Sequence, residues 1–347
     1  MTFSRIWSVL TAASVVILFT ACTDHRSAPA AKPLQHDITT NAKPWTNERF
    51  DADADKFTFA VFSDLTGGER EPIFEVAVAQ LALLRPELIM SVGDLIEGGT
   101  IDRDQLKKEW DSFDARANKA SAPVFRVGGN HDLTHIVMRE YWEQRFGARY
   151  YHFVYKNVLF LILDSEDHEK ERMQEIFVAR EKAVAIALRD GWDAFGETEY
   201  VAMPEQRAGR IGHEQSAYML KAIAANLGVR WTFVFLHKAP WLTQDEENFA
   251  AIETALSDRP YTVFHGHEHD YLHEERLGRD YIQLGTTGGV QNPKKDLAID
   301  HVTMVTVSET GVDIANLRMS GIFDKSGHIP LGGDSLCFNA AKCAETN

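Results

Sequence analysis

The feature that most constrains the fold is a series of short apolar runs that alternate with helical segments from residue 56 onward. These runs are rich in β-branched and aromatic residues, which favours strands, and they span residues 57–62, 88–92, 124–127, 158–163, 231–236 and 261–264. Between them, residues 72–84 and 214–227 carry apolar side chains at helical spacing, and Pro72 suits a first helical turn. The alternation of strand and helix predicts an α/β fold.

Nearly every one of these runs is followed directly by a residue that can bind a metal ion. In chain order the candidates are Asp64, Asp94, Asn130, His131, Asp132, His237, His267 and His269. In α/β sheets, ligands bind at the carboxyl ends of the strands, so residues at these ends are expected to meet. Taken singly, such an Asp is most often a helix cap or a turn residue. Five motifs that agree in order favour one shared site.

The residue types themselves indicate a pair of metal ions. Imidazole and oxygen ligands suit zinc, iron or manganese, and the lack of cysteine ligands disfavours a structural zinc site. Two divalent ions repel each other, and a shared carboxylate offsets this repulsion, a role for which Asp94 is the natural candidate. Water held between such ions is a strong nucleophile near neutral pH, and the ions neutralise phosphoryl oxygens.

The motifs Gly93-Asp94, Gly129-Asn130-His131-Asp132 and Gly266-His267-Glu268-His269, in this order and spacing, resemble those of the calcineurin-like metallophosphoesterase family. The resemblance covers about residues 57–310. It implies a four-layer αββα fold, in which a mixed β-sandwich is flanked by helices. It also implies hydrolysis of a phosphate ester by a metal-bridging hydroxide.

The resemblance also implies a role for each candidate residue. The first of two divalent metal ions (Mn, Fe or Zn) would be held by Asp64, Asp94 and His269, and the second by Asp94, Asn130, His237 and His267. His131 would contact the phosphate and protonate the leaving oxygen. Asp132 would orient His131.

One motif departs from the family pattern. The family usually reads Asp-Xaa-His at the first motif, where this chain has Asp64-Leu65-Thr66. Four alternatives follow: Thr66 supplies a weak hydroxyl ligand or holds a ligand water, the first metal binds loosely, the enzyme works with one metal, or Glu97 compensates. Glu97 lies at the offset where the purple acid phosphatase branch of the wider family has a Tyr ligand. The other interpretation of Glu97 is that it is a solvated loop residue.

The expected substrate is a small phosphate ester. The formal net charge of -15 argues against a nucleic-acid scaffold, because such binding needs a basic surface. Two alternatives remain. The first is a phosphodiesterase acting on a cyclic nucleotide or a lipid headgroup. The second is a non-catalytic metal-binding module of the cell envelope.

The N-terminus predicts export. Residues 1–21 combine Arg5 with a short apolar stretch, as in a signal peptide, and small residues precede Cys22 as in a bacterial lipobox. We therefore expect a membrane-anchored lipoprotein of the cell envelope or periplasm, whose only membrane contact is a lipid on Cys22. The alternative is an ordinary cleaved signal in which Cys22 has no role.

The rest of the chain divides into three expected parts. Residues 22–55 are polar and contain several prolines, as in a flexible tether. Residues 56–320 form the phosphoesterase domain, with a cap-like insertion at 165–211 that begins with a charged run of the kind that usually forms a solvated helix face. Residues 321–347 form a C-terminal tail in which Cys337 and Cys343 close a disulfide or remain free thiols.

Overall fold

The computed structural model describes residue 46 and residues 53–243 and 245–344. The predicted signal peptide, Cys22 and nearly all of the predicted tether lie outside the described residues. Among the described residues, no helix combines the length and apolarity that a membrane crossing requires.

Eleven strands form two mixed sheets within the described residues. The strands are β1 (Phe57–Phe62), β2 (Leu88–Ser91), β3 (Val124–Phe125), β4 (Tyr151–Tyr155), β5 (Val158–Ile162), β6 (Trp231–Phe235), β7 (Tyr261–His265), β8 (Leu272–Arg276), β9 (Arg279–Gln283), β10 (His301–Ser308) and β11 (Gly311–Arg318). The first sheet has the order β11-β10-β1-β2-β3, and the second has the order β4-β5-β6-β7-β9-β8. The pairs β1–β2, β2–β3, β5–β6, β6–β7 and β7–β9 are parallel, and the other pairs are antiparallel.

Helices connect the strands. They are α1 (Ile73–Leu84), α2 (Arg103–Ala117), α3 (Asn130–Leu133), α4 (Ile136–Phe146), α5 (Lys170–Asp190), α6 (Trp192–Phe195), α7 (Glu199–Ala202), α8 (His213–Ala225), α9 (Glu247–Ala255) and α10 (Ala340–Ala344). Short 3-10 turns occur at Pro204–Gln206, Pro240–Leu242, Met319–Gly321 and Pro330–Ser335. Helices α1, α2 and α4 pack on the outer face of the first sheet, and α8 and α9 pack on that of the second.

The two sheets pack face to face through an aromatic interior. In β1, Phe57 and Phe59 point into the sandwich, whereas Phe62 points out towards α1. The ring centroid of Phe59 lies 5.3 Å from that of Phe160 and 4.8 Å from that of Phe233. Because both faces of the central strands are covered, these strands are apolar throughout rather than alternating. The predicted four-layer αββα sandwich is thereby confirmed.

The chain beyond β11 packs on the domain. Ile329 and Phe338 are buried in the same core as α1. The backbone N–H of Asp300 donates to the carbonyl oxygen of Phe338 at 2.9 Å. Cys337 and Cys343 are joined by a disulfide. The segment that we expected to be a tail therefore adds to the core beneath α1.

The insertion places α5, α6 and α7 together, and they share a small apolar cluster that includes Ile176, Ala183 and Tyr200. The charged run at its start is not a solvated helix face throughout. Glu166 is buried, and its Oε1 lies 3.1 Å from the Nζ of the equally buried Lys238, so the two charges compensate each other.

Candidate metal centre

The candidate ligands follow the carboxyl ends of five strands, β1, β2 and β3 in the first sheet and β6 and β7 in the second, which run parallel within each sheet. Phe62 near the end of β1 is paired with Ser91 of β2, and Phe235 of β6 is paired with Phe264 of β7. The loops that follow these pairs therefore leave each sheet at one edge. A contact across the sandwich brings the two edges together, because Nδ1 of His237 lies 2.9 Å from the carbonyl oxygen of Val92.

The ligand atoms form two groups that share one residue. Asp64, Asp94 and His269 make up the first group, and Asp94, His237 and His267 make up the second. Within each group, the potential ligand atoms lie within 4.8 Å of one another. Asn130 joins the second group, since its Oδ1 lies 3.1 Å from Nε2 of His237. The structure thus brings together all six residues that the sequence assigned to metal binding.

Asp94 can lie between the two ligand groups because glycines allow the neighbouring backbone to approach its carboxylate closely. Its own φ is 55°, in the left-handed region, and it follows Gly93 with a φ of 104°. Gly129 packs directly on the Asp94 carboxylate, and a side chain at Gly129 would overlap Oδ1. The backbone N–H of His131 donates to the same Oδ1 at 2.9 Å. The glycines of these motifs therefore make room for the shared carboxylate.

Each ligand imidazole is held by a backbone carbonyl. The contacts are His237 Nδ1 to Val92 O at 2.9 Å, His267 Nε2 to Gln206 O at 2.7 Å, and His269 Nδ1 to Val290 O at 2.6 Å. A carbonyl can only accept, so the proton of each neutral ring lies on the nitrogen that faces it. The other ring nitrogen keeps its lone pair for a cation, as is usual for metal-binding histidines.

The electrostatics of the site also fit cations. Asp64 and Asp94 are buried almost completely. Burial by itself lowers the pKa of His237, but the carboxylates of Asp94 and Asp64 outweigh it and raise this pKa to about 9. Two buried carboxylates require positive charge nearby, and divalent ions between these ligands supply it. The residues present therefore fit a pair of divalent ions.

His131 lies beside the second group with one ring nitrogen fixed. Its Nδ1 donates to the carbonyl oxygen of Glu97 at 2.7 Å, which leaves Nε2 for the cavity. Burial lowers the pKa of His131, Asp94 raises it and Arg180 lowers it, with a net downward direction.

The expected role of Asp132 is wrong. Instead of orienting His131, its carboxylate accepts from the backbone N–H groups of Leu95, Ile96 and Gly129, at 3.0, 3.2 and 2.8 Å. Asp132 therefore ties the loop after Asp94 to the start of α3, and the orientation of His131 comes from a backbone carbonyl.

A model of the calcineurin-like phosphoesterase family matches residues 57–271, which is more than half of the chain. The protein belongs to this family. The family typically binds a dinuclear metal centre, and membership supports a metal-dependent phosphoesterase.

Solved structures agree on the fold. A dimetal phosphatase from Danio rerio aligns with a TM-score of 0.51 at 16% identity, over 76% of this chain and 98% of that one. Purple acid phosphatase PPD1 from seeds of yellow lupin (Lupinus luteus) aligns with a TM-score of 0.50 at 12% identity, over 77% of this chain and 52% of that one. A comparison with curated protein sequences gave no significant match.

This member of the calcineurin-like phosphoesterase family uses Thr66 and Glu97 for loop structure. The Thr66 hydroxyl donates to the carbonyl oxygen of Ile96 at 2.9 Å. Oε1 of Glu97 accepts from the backbone N–H groups of Gly68 and Glu69 at 3.0 and 2.8 Å. Among the described residues, Glu97 belongs to neither ligand group. The first group has three carboxylate and imidazole ligand residues, and the second has three together with Asn130.

A cavity of about 690 Å³ opens beside the ligand residues of this phosphoesterase. One wall carries Asp94, Asn130, His131 and further ligands, and another wall comes from the insertion. The insertion residues on that wall include Arg180, Val184, Trp192, Phe195, Tyr200 and Gln206. The sequence does not identify these residues, because a helix pattern without a motif does not reveal which side chains face a cavity.

Proposed function

We propose that this protein hydrolyses a phosphate ester with two divalent metal ions held at the candidate metal centre. The observation that carries the proposal is the sharing of Asp94 by both ligand groups. A carboxylate common to two ligand sets is what a bridged pair of cations requires, because it offsets their mutual repulsion.

The ligands divide as the geometry suggests, with Asp64, Asp94 and His269 for one ion and Asp94, Asn130, His237 and His267 for the other. When bound, the ions would supply an activated water as the nucleophile and would neutralise charge on the phosphoryl oxygens.

His131 is the proton donor in this proposal. Its Nδ1–H is occupied by the Glu97 carbonyl, so Nε2, which faces the cavity, carries a proton to donate when the ring is in its imidazolium form. A methyl group placed on Gly67 would lie 3.6 Å from this Nε2 and 3.6 Å from Nε2 of His269, so the two nitrogens border one space. From there, the His131 imidazolium can donate its Nε2 proton to the oxygen of the departing alcohol, and the neutral ring that remains can regain a proton from water.

The direct experiment uses the purified protein loaded in turn with manganese, zinc or iron. Its substrates are para-nitrophenyl phosphate and bis(para-nitrophenyl) phosphate, a monoester and a diester with the same leaving group. We expect metal-dependent release of nitrophenolate, and a loss of about 100-fold or more in Asp94→Asn, since removal of one electrostatic contact at a reacting centre costs on this order. Asp313→Asn, at an exposed position of β11, is the matched control and should retain the rate.

The outcomes separate the three candidate functions. Faster cleavage of the diester would favour the phosphodiesterase. A protein that binds metal but cleaves neither ester would support a non-catalytic metal-binding module, an outcome to which the three-residue first group lends some weight. In that case the proposal of hydrolysis fails.

We also propose that the protein acts outside the cytoplasm, anchored by a lipid on Cys22. The signal-like segment supports this, as does the Cys337–Cys343 disulfide, since disulfides persist in oxidising compartments. Mass spectrometry of the mature N-terminus is the test, and a mature chain without lipid on Cys22 would contradict the anchor.

A further inference from the structure

Arg180 reaches the metal centre from the insertion. It lies on α5, and only 11% of its side chain is exposed. Its guanidinium packs so closely on Gly99 that a side chain at Gly99 would overlap it. The preceding Gly98 packs in the same way on the backbone carbonyl of His131. The guanidinium is therefore adjacent to the loop that carries Asp94 and to the proposed proton donor.

The guanidinium has no partner that matches its burial. Among the described residues it makes no hydrogen bond, and its one carboxylate neighbour within 4.0 Å is Oε1 of Glu181, at 3.8 Å. By contrast, the similarly buried Arg116 and Arg149 each pair closely with a carboxylate. A guanidinium has five N–H donors, and leaving them unpaired in a poorly solvated place is unfavourable. Arg180 thus presents unused donors to the cavity.

The rest of the insertion wall is aromatic. The ring centroids of Trp192 and Phe195 lie 5.6 Å apart, and those of Phe195 and Tyr200 lie 6.0 Å apart. Tyr200 is buried, whereas Trp192 is 67% exposed, which is unusual for a side chain of this size. The lining of the cavity therefore combines a cationic side chain, Arg180, with an apolar, planar surface from Trp192 and Phe195.

We propose that Arg180 and the rings of Trp192 and Phe195 form the substrate-selecting subsite, and that the substrate is a phosphate monoester whose alcohol carries a planar, apolar group. The inference rests on the proposed function, because it assumes that a phosphate ester is bound beside the metal ligands.

Chemistry favours this class over a diester. A planar guanidinium fork matches two oxygens of one phosphate group. A monoester has three non-bridging oxygens and close to two negative charges at neutral pH, whereas a diester has two such oxygens and one charge. An additional cation beside the ligand residues therefore benefits the monoester more. The aromatic wall then stacks on the alcohol portion, as offset rings do.

The test measures binding of two phosphonates that cannot be hydrolysed, benzylphosphonate and methylphosphonate, to the full-length metal-loaded protein by titration calorimetry. Arg180→Gln should weaken both probes by about tenfold or more, since the charge-assisted hydrogen bonds are common to them. Trp192→Ala should weaken benzylphosphonate alone, by about threefold to tenfold. Arg180→Lys, which keeps the charge without the fork, should give an intermediate loss of affinity and guards against a folding defect.

Two controls come from the same helix. Arg189→Gln removes an exposed arginine that pairs with Asp190, and Leu188→Ala removes an exposed apolar side chain. Both should bind the two probes like the unmodified protein. Equal affinity of the unmodified protein for both phosphonates would overturn the aromatic subsite, and unchanged binding by Arg180→Gln would overturn the role of Arg180.

The hydrolysis assay distinguishes failure of this inference from failure of the proposed function. If the unmodified protein binds the phosphonates through Arg180 but cleaves no ester, the proposed function fails and the anion subsite stands. If it cleaves the diester faster than the monoester, the proposed metal centre stands and the monoester class is wrong.

Discussion

Gly67 offers the sharpest test of the site, because its missing side chain defines a space that the chemistry needs. Its φ of 76° lies in the left-handed region. A methyl group there would lie 3.1 Å from Cε1 of His269 and 3.6 Å from Nε2 of both His269 and His131. Gly67→Ala therefore inserts a carbon between the nitrogen assigned to metal binding and the one assigned to proton donation.

The expected effects follow from these distances. The left-handed backbone should lower the free energy of unfolding by about 1–2 kcal/mol. The methyl group takes the space that a water or phosphoryl oxygen would share with both imidazoles. We therefore expect kcat/KM for para-nitrophenyl phosphate to fall by about 100-fold, which corresponds to about 2.7 kcal/mol.

Gly68→Ala is the matched control. Gly68 has a φ of 91°, so the backbone penalty is similar, but its added methyl group would face Cβ of Val290 at 3.3 Å. Thermal unfolding and steady-state kinetics on both variants separate strain from steric exclusion. We expect both variants to lose a similar amount of stability and Gly67→Ala alone to lose rate. If both variants lose the same activity, or if Gly67→Ala retains its rate, the proposed arrangement of Nε2 atoms around the substrate is wrong.

Three further predictions concern metal binding and the loops that support it. Asp132→Ala leaves three backbone N–H groups without their acceptor and should lower the free energy of unfolding by about 3 kcal/mol or more, since each costs about 1–3; a loss under about 1 kcal/mol in urea unfolding would contradict this. Chelation should lower Tm by about 5 °C or more, because ions present at 100 times their Kd add about 2.7 kcal/mol to the free energy of unfolding. Without the ions, Asp64 and Asp94 also repel each other. A Tm insensitive to EDTA would argue against bound ions. Glu97→Gln should keep its metal content in elemental analysis, because the amide oxygen can still accept from the same backbone N–H groups; loss of one ion per chain would place Glu97 among the ligands.

The two walls of the cavity differ in how far the sequence could predict them. The ligand wall follows from local patterns, because Asp64 and His237 each lie just beyond an apolar run and the ends of parallel strands meet. The residues of the insertion wall do not follow a strand end or a motif that would identify them. Arg180 is one of many charged residues on a long helix, and nothing in its spacing distinguishes it from the exposed Arg189.

The sequence by itself determined which segments form strands, which side chains follow each strand, and which metal-binding chemistry those side chains suit. These properties are encoded within a few residues of each other. Tertiary structure alone decided the contacts across the chain. In the folded protein, Asp132 accepts from three backbone amides rather than orienting His131. The carbonyl of Gln206 accepts from His267, 61 residues away. Such choices depend on how distant segments pack, and the periodicity of a local segment carries no information about the partner that its side chains will meet.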